Sequence, residues 1–330
     1  MGARQVAGDP HDGCMDELEL IADEWGLFTA ARAAEAGIAA ATLARLRRTG
    51  QVTRPTRGWY AVTPPGVPLT PARRHAVLAL ASARSLQLPT VLSHHSELAW
   101  RGLPLYGAPL DEVHLSLVDD AHWPRSRGRV RLHRDWAGGL DAQGRMPVAA
   151  AIAQAGTVAG PVTALVAADA ALARSLTTRA ELREAGSLVR GRRHGAVIPA
   201  ILEQADGRSQ SVGETRLRHI FHLAGLAVVP QWRIDAAGFT AYCDLGVEGE
   251  WVVAEFDGRV KYGRSADATD GWRSGADELF AEKRREDAIR WLGYDVVRYV
   301  WTDLDRPVMC VRRMVDAIGR SRARRGPRVG

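Results

Sequence analysis

Three strand-like runs in the last third of the chain, Val228–Ile234, Thr240–Val247 and Trp251–Phe256, are separated by turns carrying Gly238 and Gly249. Runs of this kind joined by glycine turns read as an antiparallel meander. A helix precedes them, starting at Ser211 and burying Leu217, Phe221 and Ala224 before Gly225. A second helix, Asp277–Leu292, and a further strand, Asp295–Val300, follow. Helix, three strands, helix and strand define a small α/β domain. At 330 residues the chain is too long for one core, so this domain is one of several.

The third run, WVVAEFDG, is apolar except for Glu255 and Asp257, which strand alternation places on one face. A carboxylate in a buried apolar strand is costly unless it is paired or bound to a metal. Asp244 lies near the end of the second run and can converge with Glu255 across the hairpin. Such an oxygen-rich pair suits magnesium, although two rim carboxylates in water fit the same spacing. Ser211 followed by Glu214 has the form of a capping box. Glu214 also shares the apolar stripe of Leu217 and Phe221, so a helix-closing role and a site role both stand open.

Lysine occurs only at Lys261 and Lys283, and every other basic side chain is arginine. Lysine shifts its pKa readily when buried and arginine does not, so two lysines close to an acidic cluster are candidates for chemistry. Lys261 follows Gly258, whose freedom can fold the segment back toward the carboxylates. Lys283 is spaced to pair with Asp287 along its helix, which gives it a structural role as well.

Near the other end, three short helices (Asp16–Trp25, Thr29–Ala36 and Ala40–Arg48) precede a hairpin over Val52–Val62. That order looks like a winged helix-turn-helix. The third helix carries Thr42, Arg45, Arg47 and Arg48, the wing carries Arg54 and Arg57, and the first helix is acidic. Basic groups on those two elements point to DNA; a helical interaction domain with solvated arginines is the alternative.

The expected organisation is multidomain, α and α/β. It comprises a disordered N-terminus (1–15), the winged helix-turn-helix (16–63), a middle region that is mixed and then helical (64–208), the α/β domain (209–306), and a C-terminal helix with a basic tail (307–330). Arg320, Arg322, Arg324, Arg325 and Arg328 account for most of the net charge of +6. Such a tail reads either as a polyanion-holding segment or as a solvated end. His94, His95, His114 and His133 read as structural or exposed residues rather than metal ligands. Cys14, Cys243 and Cys310 are too few and too scattered for a disulfide framework or a zinc ribbon, which fits a reducing cytoplasm. No apolar run approaches the ~20 residues of a membrane span. No apolar segment follows Met1 as a signal peptide requires. The phosphate-cradling GxGxxG and Walker loops and the GxSxG elbow are missing, which weighs against nucleotide-cofactor and serine-hydrolase chemistry.

Taken as a set, SVGETRLR, DLG, EFDG, EKRRED and GYDVVRYVW resemble the PD-(D/E)xK nuclease superfamily, and within it the very-short-patch-repair-like endonuclease domains. RLRRTGQVTRPTRGWYAV and LSHHSELAWRGLPL resemble AbiEi-type antitoxins of type IV toxin–antitoxin systems. Together the two resemblances run from Glu17 to Leu304. They imply a restriction-endonuclease-like C-terminal fold, double-stranded DNA and a cognate toxin as partners, and magnesium as cofactor. Carried over residue by residue, Asp244 matches the first metal-binding aspartate and Glu255 the acidic member of the strand motif. Glu214 matches the carboxylate of the first helix, and Asp257 becomes a further metal ligand. Asp257 also occupies the place of the motif's lysine, so that role falls to Lys261 or Lys283. Two functions follow: a metal-dependent endonuclease hydrolysing DNA phosphodiester bonds, or a transcriptional regulator of antitoxin type with an inactive nuclease fold.

Overall fold

The structure, a computed structural model, describes residues 10–63, 69–118, 126–134, 136–236, 238–258 and 275–325. It contains mixed helices and several small sheets, and the chain divides into two compact units, residues 1–103 with 108–154 and residues 104–107 with 155–330.

The first unit begins with α1 (Pro10–Ile21), β1 (Leu27–Thr29), α2 (Ala30–Glu35), α3 (Ala40–Arg48), β2 (Val52–Thr56) and β3 (Trp59–Val62). The strands form an antiparallel sheet in the order β1-β3-β2. Helix α1 starts at Pro10, so residues 10–15 are helical where disorder is expected; fully buried Leu18 anchors that helix to the core. Leu18, Phe28, Ala33, Leu43, Leu46 and Val52 make up the core. The Thr29 hydroxyl accepts the Arg32 N–H and starts α2, while Gly50, with φ +78°, closes the turn after α3. Pro55 cannot donate to a ladder, and it sits where the pairing of the edge strand β2 is irregular.

Helix α4 (Pro71–Leu86), strand β4 (Thr90–Leu92), helix α5 (His94–Trp100), and strands β5 (Val113–Leu117), β6 (Ser126–Arg127) and β7 (Val130–His133) follow. Their sheet runs β4-β5-β7-β6, with β5 and β7 parallel. Strand β5 is buried along its whole length. Val113 and Leu115 pack with Ala79 of α4 and Leu132 of β7, which leaves His114 and Ser116 on the opposite face. Helix α6 (Val148–Ala159) begins in this unit and ends in the next.

The second unit contains α7 (Pro161–Ala173), α8 (Arg179–Leu188), α9 (Ile198–Leu202), α10 (Val212–Leu223), β8 (Val228–Ala236), β9 (Phe239–Val247), β10 (Val252–Asp257), α11 (Gly275–Trp291), β11 (Asp295–Val300), α12 (Trp301–Leu304) and α13 (Pro307–Arg325). Strands β8, β9 and β10 form the antiparallel meander, and β11 joins β10 in parallel, giving the order β11-β10-β9-β8. One face buries Leu217 and Phe221 of α10 with Cys310 and Met314 of α13; the other buries Ile289 of α11. Helices α7 to α9 join this domain through α10, on which α7 packs. Asp169 of α7 is the tie: it accepts the Thr215 hydroxyl at 2.7 Å, the Arg218 guanidinium at 2.6 Å and the Asp206 N–H at 2.7 Å. Helix α13 corrects the reading of the tail as a solvated end. It stays helical through Arg325, with Arg322 paired to buried Glu250 and Arg324 to Asp295. Arg328 lies outside the described residues. No helix among them is long and apolar enough to cross a membrane.

Candidate functional site

Two places gather chemistry expected from the sequence. On α3 and the β2–β3 hairpin, Arg47, Arg48, Arg54 and Arg57 are exposed, and Arg45 is half-buried beside Cys14 of α1. None of the five pairs with a carboxylate among the described residues. Arg54 lies over the Tyr60 ring at 5.9 Å, and Tyr60 stacks on Phe28, so the wing arginine stands on a platform rooted in the core. Gly58, with φ +81°, makes the tight turn that brings Arg57 to the hairpin tip.

The second place lies at the end of β10. Pairing of Ala254 with Leu245 is the last ladder step, and beyond it the Asp244 carboxylate accepts the Phe256 N–H at 2.6 Å. Cys243 packs with the α11-side core and Leu245 with the α10-side core, so the faces of β9 exchange between them. Opposite this point Gln231 holds a left-handed φ of +52°. Asp244 therefore feels Glu214 of α10 and Glu255 of β10 together. Burial, with those two neighbouring charges, pushes the Asp244 carboxyl up to about 7. Burial also raises Glu214, whose helix approaches closely because Gly213 faces the Phe256 ring; a Cβ there would meet the ring at 1.9 Å. Half of the expected capping box forms. The Ser211 hydroxyl accepts the Glu214 N–H at 3.1 Å, but the Glu214 carboxylate reaches back to the Gln210 N–H, one residue beyond the cap.

Among the described residues, the cation of this cluster is an arginine. Arg285 of α11 donates to Glu255 at 3.0 Å and to the Tyr242 carbonyl at 2.8 Å. Lys283 is exposed and stands about 200° around α11 from Arg285. Lys261 lies outside the described residues. Asp257 shares the Glu255 face and is half-buried. Glu255 Oε1 is buried and meets no nitrogen or oxygen donor among the described residues, with the Cys243 thiol as its close neighbour. Magnesium needs only one or two carboxylates with water, so Asp244 and Glu255 fit it. A cleft of about 830 Å³ is walled partly by Gln231, which hydrogen-bonds Glu214, and by Tyr242.

A third gathering has no counterpart in the sequence reading. His75, His94, His95, His114 and His133, half of the chain's ten histidines, pack in the first unit, and only His133 is not fully buried. They are neither exposed nor scattered. The rings of His94 and His133 stack with centroids 4.0 Å apart, and His114 Nδ1 lies 2.8 Å from His133 Nε2. Burial drives His95 down to about 4 and His114 lower still, so both are neutral imidazoles. His94 is held at φ +51°, a conformation that costs a non-glycine residue about 1–3 kcal/mol.

Residues 15–63 match the model of a family described as a transcriptional regulator, AbiEi antitoxin. No curated protein matches the chain. The crystal structure of the RV2827C protein from Mycobacterium tuberculosis is similar to this chain at 18% identity, covering 70% of this chain and 90% of that one, with a TM-score of 0.35.

Proposed function

We propose that this chain is a DNA-binding transcriptional regulator of antitoxin type that reads duplex DNA with a winged helix-turn-helix at residues 15–63. The observation that carries the reading is the group of arginines on α3 and the β2–β3 hairpin, uncompensated by any described carboxylate. The family match over the same residues supports it. Helix α3 would lie in the major groove, with Arg45, Arg47 and Arg48 toward base edges and phosphates, and Arg54 and Arg57 would hold the flanking backbone. A cognate toxin is the protein partner expected of such a regulator. The test is a fluorescence-anisotropy titration of the full chain against duplex DNA at several salt concentrations. Affinity should fall linearly with salt on logarithmic axes as phosphate contacts release counterions. Salt-insensitive binding, or none at low salt, overturns the proposal.

The second reading gives the C-terminal unit a PD-(D/E)xK endonuclease-like fold, and the buried Glu255 Oε1 is what favours it. Asp244 and Glu255, with Asp257 or Glu214 as further ligands, would hold magnesium, which when bound supplies Lewis-acid polarisation of a phosphodiester and a more acidic water. Among the described residues the cation at the cluster is Arg285, which can steady a developing negative charge but cannot take a proton from water. The regulator reading expects full-length protein to bind supercoiled plasmid without nicking it in magnesium. Nicking that Asp244→Asn abolishes would move the assignment to an endonuclease.

A further inference from the structure

The densest set of metal-ligating nitrogens in the described chain belongs to neither place assigned above. We propose that His94, His114 and His133 form a site for a divalent transition metal, zinc by preference, with one coordination position left to water or an added ligand.

Their ligand atoms lie within 4.8 Å of one another, and no other described group of three histidine, cysteine or acidic residues does so. Zinc–imidazole bonds of 2.0–2.1 Å in a tetrahedron place ligand nitrogens about 3.3 Å apart. Closing the remaining gap of at most about 1.5 Å needs only side-chain rotation. Three elements supply the ligands. Parallel pairing of β5 with β7 sets His114 against Arg131 and Ser116 against His133, so His114 and His133 are offset by one alternation step on neighbouring strands. His94 enters from the first turn of α5, its N–H bonded to the Gln154 side chain at 3.3 Å.

The donor set selects the metal class. Imidazole suits zinc, copper and nickel, whereas magnesium and calcium take oxygen. His114 Nδ1 faces His133 Nε2 at 2.8 Å, while its Nε2 turns toward Glu112 Oε2 at 3.8 Å. Two imidazole nitrogens this close must share one proton or one ion, and a metal ion between them serves both. The surrounding shell is in place. His94 Nδ1 contacts the Ser93 hydroxyl at 3.0 Å, which helps fix the ring. His133 is half-buried where His94 and His114 are buried, so an ion can enter from its side. With three protein ligands among the described residues, the site resembles an open zinc centre more than a closed structural one.

The test uses full-length protein without a histidine tag, stripped by a chelator and then titrated with zinc against a chromophoric competitor. One equivalent per chain should bind, and cobalt in its place should show the visible absorption of a four-coordinate ion. His133→Ala, the least buried position, should weaken zinc at least about a hundredfold, the upper end of what losing an outer partner costs. His219→Gln with His222→Gln should bind as wild type, which separates this site from other histidines. His114→Gln provides a second ligand variant, and melting curves show which variants fold. No stoichiometric zinc and no cobalt band in the wild type overturns the proposal whatever the variants do. So does wild-type zinc affinity in both folded ligand variants.

Discussion

On α3 and the β2–β3 hairpin, Arg47, Arg48, Arg54 and Arg57 reach into solvent without an acidic partner among the described residues. In the second unit several arginines are spent internally, although Arg190, Arg192 and Arg193 are exposed. Arg218 is buried on Asp169, Arg285 is held by Glu255 and the Tyr242 carbonyl, and Arg322 and Arg324 clasp Glu250 and Asp295. A guanidinium whose fork is already filled by a carboxylate has little left for a phosphate. The formal +6 of the chain is therefore a poor guide to where it attracts polyanions. In the richest run of arginines by sequence, near the C-terminus, Arg322 and Arg324 are answered by carboxylates.

The comparison breaks most visibly at Arg218. Replacing it with alanine leaves Asp169 buried without its countercharge, and burial already disfavours the charged form of that carboxyl. A loss of about 3–5 kcal/mol is expected, read by urea unfolding; a loss under about 1 kcal/mol would show the pair to be incidental.

Removing the free charges should leave stability alone and change binding. Arg47→Ala, Arg48→Ala, Arg54→Ala and Arg57→Ala combined should weaken duplex affinity about a hundredfold at moderate salt and flatten the salt slope by about 0.9 per lost phosphate contact. Arg322→Ala with Arg324→Ala should leave that affinity within about twofold. If the two sets weaken DNA binding equally, the contrast between the two regions is wrong.

A smaller effect belongs to Asp244. Its folded pKa of about 7 stands above the ordinary 3.8, so between those values the folded protein keeps a proton that the unfolded chain has released. Stability must then fall as pH rises from about 4 to about 7 and stay reduced above that. Asp244→Asn keeps an oxygen for the Phe256 N–H and removes the penalty. With a chelator present it should be more stable than wild type by about 4 kcal/mol at pH 8, and indistinguishable from it below about pH 4. Added magnesium should raise the wild-type melting temperature and leave the variant's unchanged.

Least of all should follow from Lys283→Ala. An exposed side chain on the far face of α11 predicts a change within about 0.5 kcal/mol and no effect on plasmid binding.

Much of this was legible. Gly50 after Arg48 marked the end of α3, and Gly238 and Gly249 marked the turns of the meander. Alternation along β10 put Glu255 and Asp257 on one face, and Asp244 does meet Glu255 electrostatically. What stayed hidden depended on distance or on backbone. The attention given to two lysines obscured Arg285, one arginine among many. Arg322 and Arg324 looked free because Glu250 and Asp295 lie 72 and 29 residues away in the chain. The histidine group draws on positions 94, 114 and 133, a spacing that matches no ligand motif and arises from a parallel strand pair. The left-handed turn at Gln231 carries no glycine or asparagine to announce it.

Gly213 has a consequence for how such a protein can drift over generations. Any side chain at that position must displace the Phe256 ring or lift the start of α10 from β10. Glu214, the next residue, would move with the helix, and the acidic cluster would lose a member although every acidic codon remained intact. One silent-looking change from glycine to alanine would in this way scatter the acidic cluster, while the arginines of α3 and the β2–β3 hairpin stayed in place.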